Sequence, residues 1–154
     1  MPVCGTAFRR ELDGTYTMGH DFIWYRDRHV HLDDMTIWTI RHFCLAAIDA
    51  IRSEENAQIA ELEAIDAYFR GWQWIGPGVY LGTKADDFIG TNVERAILVK
   101  GVVHRAELIV QGFGAAIPLD YLRQHINRQD AYYTEPQPAR FIIEGLRQLE
   151  SMFT

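Results

Sequence analysis

The sequence predicts an α+β fold, a small N-terminal antiparallel β-sheet packed against about five α-helices. Three observations point to it. Residues 6–32 consist of short apolar and aromatic runs broken by turn signals, the mark of strands. Beyond Asp33, apolar residues recur every three or four positions, the spacing of one helix face. The helical part is much the longer, so it supplies most of the core. An all-α bundle with an irregular N-terminus is the alternative.

The strands come first. Segments 6–12 and 15–18 flank Asp13-Gly14, a dipeptide that tolerates the positive φ values of a type I′ hairpin turn. The runs Phe22-Ile23-Trp24-Tyr25 and Val30-His31-Leu32 predict a second hairpin around a four-residue loop, 26–29. Asp33 or Asp34 then caps a helix reaching about Arg52, with Ile37, Ile40, Cys44, Ala47 or Ile48, and Ile51 in register. Few polar residues interrupt it, which places it at the centre of the core.

A second helix spans about 55–70, with Ile59, Leu62, Ile65 and Phe69 inward and Gly71 as its stop. Residues 72–90 read as a small hairpin or an ordered loop. Thr91-Asn92-Val93-Glu94 matches a capping box, in which Thr91 and Glu94 satisfy free backbone N–H groups. The helix it starts carries a polar stripe of Lys100, His104, Glu107 and Gln111, opposite Val99, Val102, Val103, Ala106, Ile109, Val110 and Phe113. A buried strand pair is the other reading of this segment. Gly112 and Gly114 end it, Pro118 opens a helix over about 118–129, and Glu135-Pro136-Gln137-Pro138 is a rigid linker. A last helix covers about 138–153, with Phe141, Ile142, Leu146, Leu149 and Phe153 inward. No internal repeat divides the chain, so residues 1–154 read as one globular domain.

Composition narrows the function. The 154 residues hold 21 acids and 15 bases, a net charge of −6. No basic stripe is present, which argues against a nucleic-acid or anionic-membrane partner. No apolar run approaches the roughly 20 residues of a membrane span, and no signal-peptide core is seen. With two cysteines, Cys4 and Cys44, the expected location is the cytoplasm. The two serines, Ser53 and Ser151, lie outside any G-x-S-x-G turn, and neither glycine-rich turn extends to a phosphate-binding loop. No cofactor is expected, and the balance is against an enzyme.

The negative charge is concentrated. Residues 54–94 hold eight acids against two bases, while 1–53 and 95–154 are nearly balanced. Glu54, Glu55, Glu61, Glu63, Asp66, Asp86 and Asp87 lie there with Trp72, Trp74 and Tyr80. Acids steer a basic partner, and aromatic side chains anchor the centre of an interface. These ten residues are the candidate partner-binding surface. A merely solvated face, with the tryptophans packed beneath it, is the simpler account.

One other segment carries ligand chemistry. His29, His31 and Asp33 share one face of an extended strand and offer two imidazoles and a carboxylate to zinc or iron. His20 with Asp21, or His42, would complete the set. The segment resembles the H-x-H-x-D-H ligand motif of the metallo-β-lactamase family, except that Asp34 stands at the final histidine. That fold needs a longer chain, and its activity is not carried over. A metal-dependent enzyme on His29, His31 and Asp33 is therefore the alternative function.

In size, acidity and want of a nucleophile the chain is similar to the bacterial immunity proteins that neutralise toxin domains. The likeness is one of composition and size, carried by no motif. It implies a non-catalytic inhibitor that occludes a basic toxin or enzyme domain with its acidic, Trp- and Tyr-bearing surface.

Overall fold

The computed structural model describes residues 7–10, 16–17, 19–54 and 59–154. It is a predominantly helical α+β fold. Strands β1 (Ala7–Arg10) and β2 (Tyr16–Thr17) pair antiparallel, with Arg9 opposite Thr17. The predicted turn at Asp13-Gly14 lies outside the described residues, as does Cys4. Strand β1 also pairs with β8 (Ala131–Tyr133), a long-range partner that no local signal announces.

The second hairpin is tighter than expected. Strands β3 (His20–Tyr25) and β4 (Arg28–Asp33) leave only Arg26 and Asp27 as the turn, with Tyr25 opposite Arg28. Arg26 takes the positive φ, 56°, that such a turn requires. Its backbone N–H donates to Asp86 Oδ1 at 2.8 Å, which fixes this uncommon conformation from outside the hairpin. Ile23, Tyr25 and Val30 face the core. Phe22, Trp24, His29 and His31 face outward, as period two dictates.

Helix α1 (Asp34–Arg52) is the central element. Asp33 is its N-cap and accepts from the Thr36 backbone N–H at 2.9 Å and the Thr36 hydroxyl at 2.6 Å. Met35, Ile37, Ile40, Phe43, Cys44, Ala47 and Ile48 are all buried along it, so it meets neighbours on several faces. Burial of this kind raises the Cys44 thiol pKa and leaves the group inert.

Helix α2 (Ile59–Arg70) packs on α1 through Leu62, Ile65 and Phe69. The break after it is a hairpin, β5 (Gln73–Gly76) and β6 (Val79–Leu81), closed by Gly78 at φ 68°. Segment 81–85 then runs beside β3. Thr83 Oγ1 donates to Phe22 O at 3.0 Å, Ala85 N to Trp24 O at 2.8 Å, and Lys84 bridges Trp24. Helix α3 (Asp86–Ile89) is a single turn, too short to leave a periodic signal.

Helix α4 (Val93–Gln111) begins one residue later than its capping box implied. Asn92 is the cap and accepts from the Arg95 N–H at 3.0 Å, so Thr91 does not cap. The segment is helix throughout and not a strand pair. Strand β7 (Ala116–Ile117), helix α5 (Leu119–His125) and strand β9 (Gln137–Pro138) follow, and β9 pairs with β7. The expected linker is thus partly strand. Helix α6 (Ala139–Met152) lays Ile142, Leu146, Leu149 and Met152 against α1 and α4.

Gly145 permits the closest approach of α6. A Cβ there would meet Ile40 Cδ1 at 2.9 Å and Thr36 Cγ2 at 3.5 Å. Ile40 is wholly buried, so its side chain must shift within the core to admit a methyl group. Gly145→Ala is therefore expected to lower stability by about 1–3 kcal/mol, the usual range for overpacking, despite alanine's better helix propensity. Urea denaturation of the two proteins checks this, and an equal or higher midpoint would contradict it.

Candidate functional site

The acids of 54–94 are mostly occupied within the molecule. Glu54 accepts from Arg105 at 2.6 Å. Glu61 takes two bonds from Arg95, at 2.9 and 3.2 Å, and these hold its carboxyl below the usual carboxylate range. Glu63 pairs with Arg52 at 2.7 Å. Asp66 lies between Arg70 at 2.7 Å and Arg52 at 3.3 Å. Arg52, Arg95 and Arg105 come from α1 and α4, so a count along the sequence could not pair them with Glu54 and the acids of α2. Asp86 is engaged with the Arg26 N–H, and Glu55 lies outside the described residues. Asp87 and Glu94 are exposed, and no ion pair among the described residues involves them.

The aromatic anchors are in the core, which corrects the expectation that they line the surface. Trp72 is 0% exposed and packs edge-on against Tyr68 and Phe69. Trp74 and Tyr80 stack 5.8 Å apart on the inner face of the β5–β6 hairpin. Arg128 lies 5.0 Å over the Trp74 ring, and the Tyr80 hydroxyl donates to Asp34 O at 2.6 Å. The physical reason is alternation. With Trp74 and Tyr80 inward, the same strands turn Ile75, Val79 and Leu81 outward, at 59, 44 and 50% exposure. Trp24 on neighbouring β3 adds a fourth exposed apolar side chain at 39%.

His29, His31 and Asp33 do not converge. Asp33 is buried and both its oxygens serve the α1 cap, as described above. His29 and His31 join an outward ladder of rings instead. His31 stacks on Phe22 at 4.5 Å, His29 lies 4.8 Å from Trp24, and His20 lies 5.2 Å from His31. His20, His31, Asp33, Tyr133 and Glu144 do line a cavity of about 320 Å³ beside α6, at the lower end of the range for small-ligand pockets. Among the described residues, the one set of metal-ligating atoms within mutual reach is His104, Glu107 and Glu150. Glu107 looked like part of a solvated stripe, yet it is 5% exposed.

His42 is a half-buried histidine on α1. Its Nε2 lies 2.8 Å from the Tyr121 hydroxyl, and its ring is 5.7 Å from His125. Burial first, then His125 and Arg41, push its pKa down to about 4. The folded protein thus resists protonating a group that titrates near 6.5 when unfolded. Its contribution to stability is complete above about pH 6.5 and is lost as the pH falls toward 4. Melting temperatures at pH 7.5 and 4.5 should therefore differ more in the wild type than in His42→Gln. Equal drops in the two proteins would contradict this origin.

No family model, curated protein or solved structure matches the chain.

Proposed function

We propose that the chain is a non-catalytic protein-binding protein of the immunity type, which occludes a basic toxin or enzyme domain. The observation that carries this reading is the outer face of the β5–β6 hairpin and its neighbour β3. Ile75, Val79 and Leu81 are all substantially exposed on the hairpin, as is Trp24 on β3, and exposed large apolar side chains mark interaction surfaces. The partner's sign follows from charge complementarity. The chain carries −6 overall, and Lys84 is the only base between residues 71 and 94. Asp87 and Glu94, exposed and without an ion pair among the described residues, supply acids in the segment after the hairpin. The division of labour is steering by charge and anchorage by the apolar hairpin face. A bacterial, cytoplasmic setting belongs to the same proposal, and the buried Cys44 thiol suits a reducing compartment.

The test follows from which acids are free. Reversing Glu61, Glu63 or Asp66 would break internal ion pairs and confuse folding with binding. Asp87→Lys with Glu94→Lys leaves those pairs intact. With a basic protein captured from the source lysate at low salt and then purified, this double variant should associate roughly tenfold more slowly at low ionic strength. Leu81→Asp should chiefly accelerate dissociation. Unchanged rates in both variants would sink the reading, as would the absence of any basic partner.

A further inference from the structure

We propose that His104 and Glu107 of α4, with Glu150 of α6, form a site for a divalent transition-metal cation of the zinc class. The site shares no residue with the hairpin face and does not depend on it.

Spacing is the first argument. His104 Nδ1 lies 3.6 Å from Glu150 Oε2 and 3.9 Å from Glu107 Oε2. Direct hydrogen bonds between these groups would bring the atoms to about 2.7–2.9 Å. Ligands about 2.0–2.2 Å from a tetrahedral zinc lie roughly 3.4 Å from one another. The three candidate ligand atoms all fall within 4.8 Å of one another. The group is too open for hydrogen bonding, and a small contraction would bring it to coordination distance.

The second argument is the way Glu107 is held. It is 5% exposed, so its rotamer is set by packing against the α4–α6 seam. Its Oε1 accepts from Arg147 Nε at 2.6 Å and from Gln111 Nε2 at 3.2 Å. That leaves Oε2 as the oxygen directed toward His104. Outer partners that fix one carboxylate oxygen and present the other are the usual support of a metal ligand. His104 and Glu107 are three residues apart and share a helix face. Glu150 comes from the helix packed against them.

The third argument is donor chemistry. One imidazole and two carboxylates are a borderline-to-hard set that suits zinc, with two ligand charges to balance the cation. Arg147 adds a positive charge beside Glu107, but its side chain is 65% exposed, so water screens it. Three protein ligands leave a position open to water. His104 is 56% exposed, so a cation has a route in and the imidazole has freedom to close on it. Bound there, the ion would tie α6 to α4.

The test is calorimetric titration of the metal-free full chain with zinc chloride at pH 7. One equivalent should bind, and zinc should raise the melting temperature. His104→Ala and Glu150→Gln should each weaken binding at least tenfold and abolish the thermal shift, while melting like the wild type in chelator. Both side chains are partly exposed, so the fold should survive either change. Cobalt substitution should give the visible absorption of a four- or five-coordinate ion, and His104→Ala should lose it. Absence of saturable binding overturns the proposal. So does binding that survives His104→Ala, or that is lost in His31→Ala, which would assign the ion to the His20–His31 pair.

Discussion

Two adjacent aspartates at the start of α1 close the helix end and tie both outer hairpins to it. Asp33 closes the helix end by accepting from the Thr36 N–H and hydroxyl. Asp34 points elsewhere and accepts from the Gly78 N–H at 2.8 Å. Its own N–H donates to Gly19 O at 2.9 Å, and its carbonyl takes the Tyr80 hydroxyl. Asp33 and Asp34 are 4% and 2% exposed. A carboxylate so buried is costly unless hydrogen-bonded, and each bond to a charged group is worth about 1.5–3 kcal/mol. The helix terminus therefore holds the edge of β3 and the tight turn of β5–β6 together. Gly19 and Gly78 fit because neither has a side chain. A Cβ on Gly19 would collide with Gly78 N and Asp34 Oδ2. Once the hairpins are held this way, period two decides which side chains meet solvent.

That constraint explains how much could be read from the chain alone. Helix α1 was legible because its cap residues and its apolar spacing agree. The α+β class was legible because the periodicity changes at Asp33. The inner face of β5–β6 was not legible. Gln73-Trp74-Ile75 and Val79-Tyr80-Leu81 offer apolar residues on both faces, so alternation alone cannot choose between them. Aromatic size decides it. Trp74 and Tyr80 remove the largest area from water, with Arg128 and Asp34 O meeting their polar or π features. The start of α4 failed for a related reason. Thr91 and Asn92 are both good caps, and only the observed Asn92–Arg95 bond separates them. The pairings of Glu61 and Glu54 were invisible because Arg95 and Arg105 stand 34 and 51 residues from them.

Magnitudes separate what the ion pairs do from what the core does. Exposed pairs such as Glu63–Arg52 and Glu54–Arg105 contribute little, because water and salt screen them. Full burial of Leu62, Ile65 or Phe69 contributes about 1.5–3 kcal/mol. Apolar packing therefore holds α2 in place, and the arginines mainly neutralise its surface. Neutralisation is local, however. At physiological salt the Debye length is about 8 Å, so a nearby partner senses the local balance while the overall sign acts at longer range. An acidic protein can thus steer a basic one without gripping it by the same acids. In the proposed complex, grip would come from apolar surface, for which Ile75, Val79 and Leu81 are exposed.

Glu107 is hard to explain by stability alone. It lies between Val103 and Val110 on the face of α4 that meets α6, where an apolar side chain would fit the same seam. Removing a carboxylate from water costs several kcal/mol, and a well-packed hydrophobic replacement is often neutral or stabilising. Arg147 and Gln111 offset that cost at Oε1 and add nothing at Oε2. A salt bridge serving only to join the helices would use both oxygens or lie farther out, as Glu61 and Arg95 do between α2 and α4. Instead one oxygen is fixed and the other faces an imidazole and a second carboxylate at distances too long for hydrogen bonds. The arrangement is costly for a strut and economical for a ligand, and that asymmetry sets the α4–α6 seam apart from the other charged contacts described in the molecule.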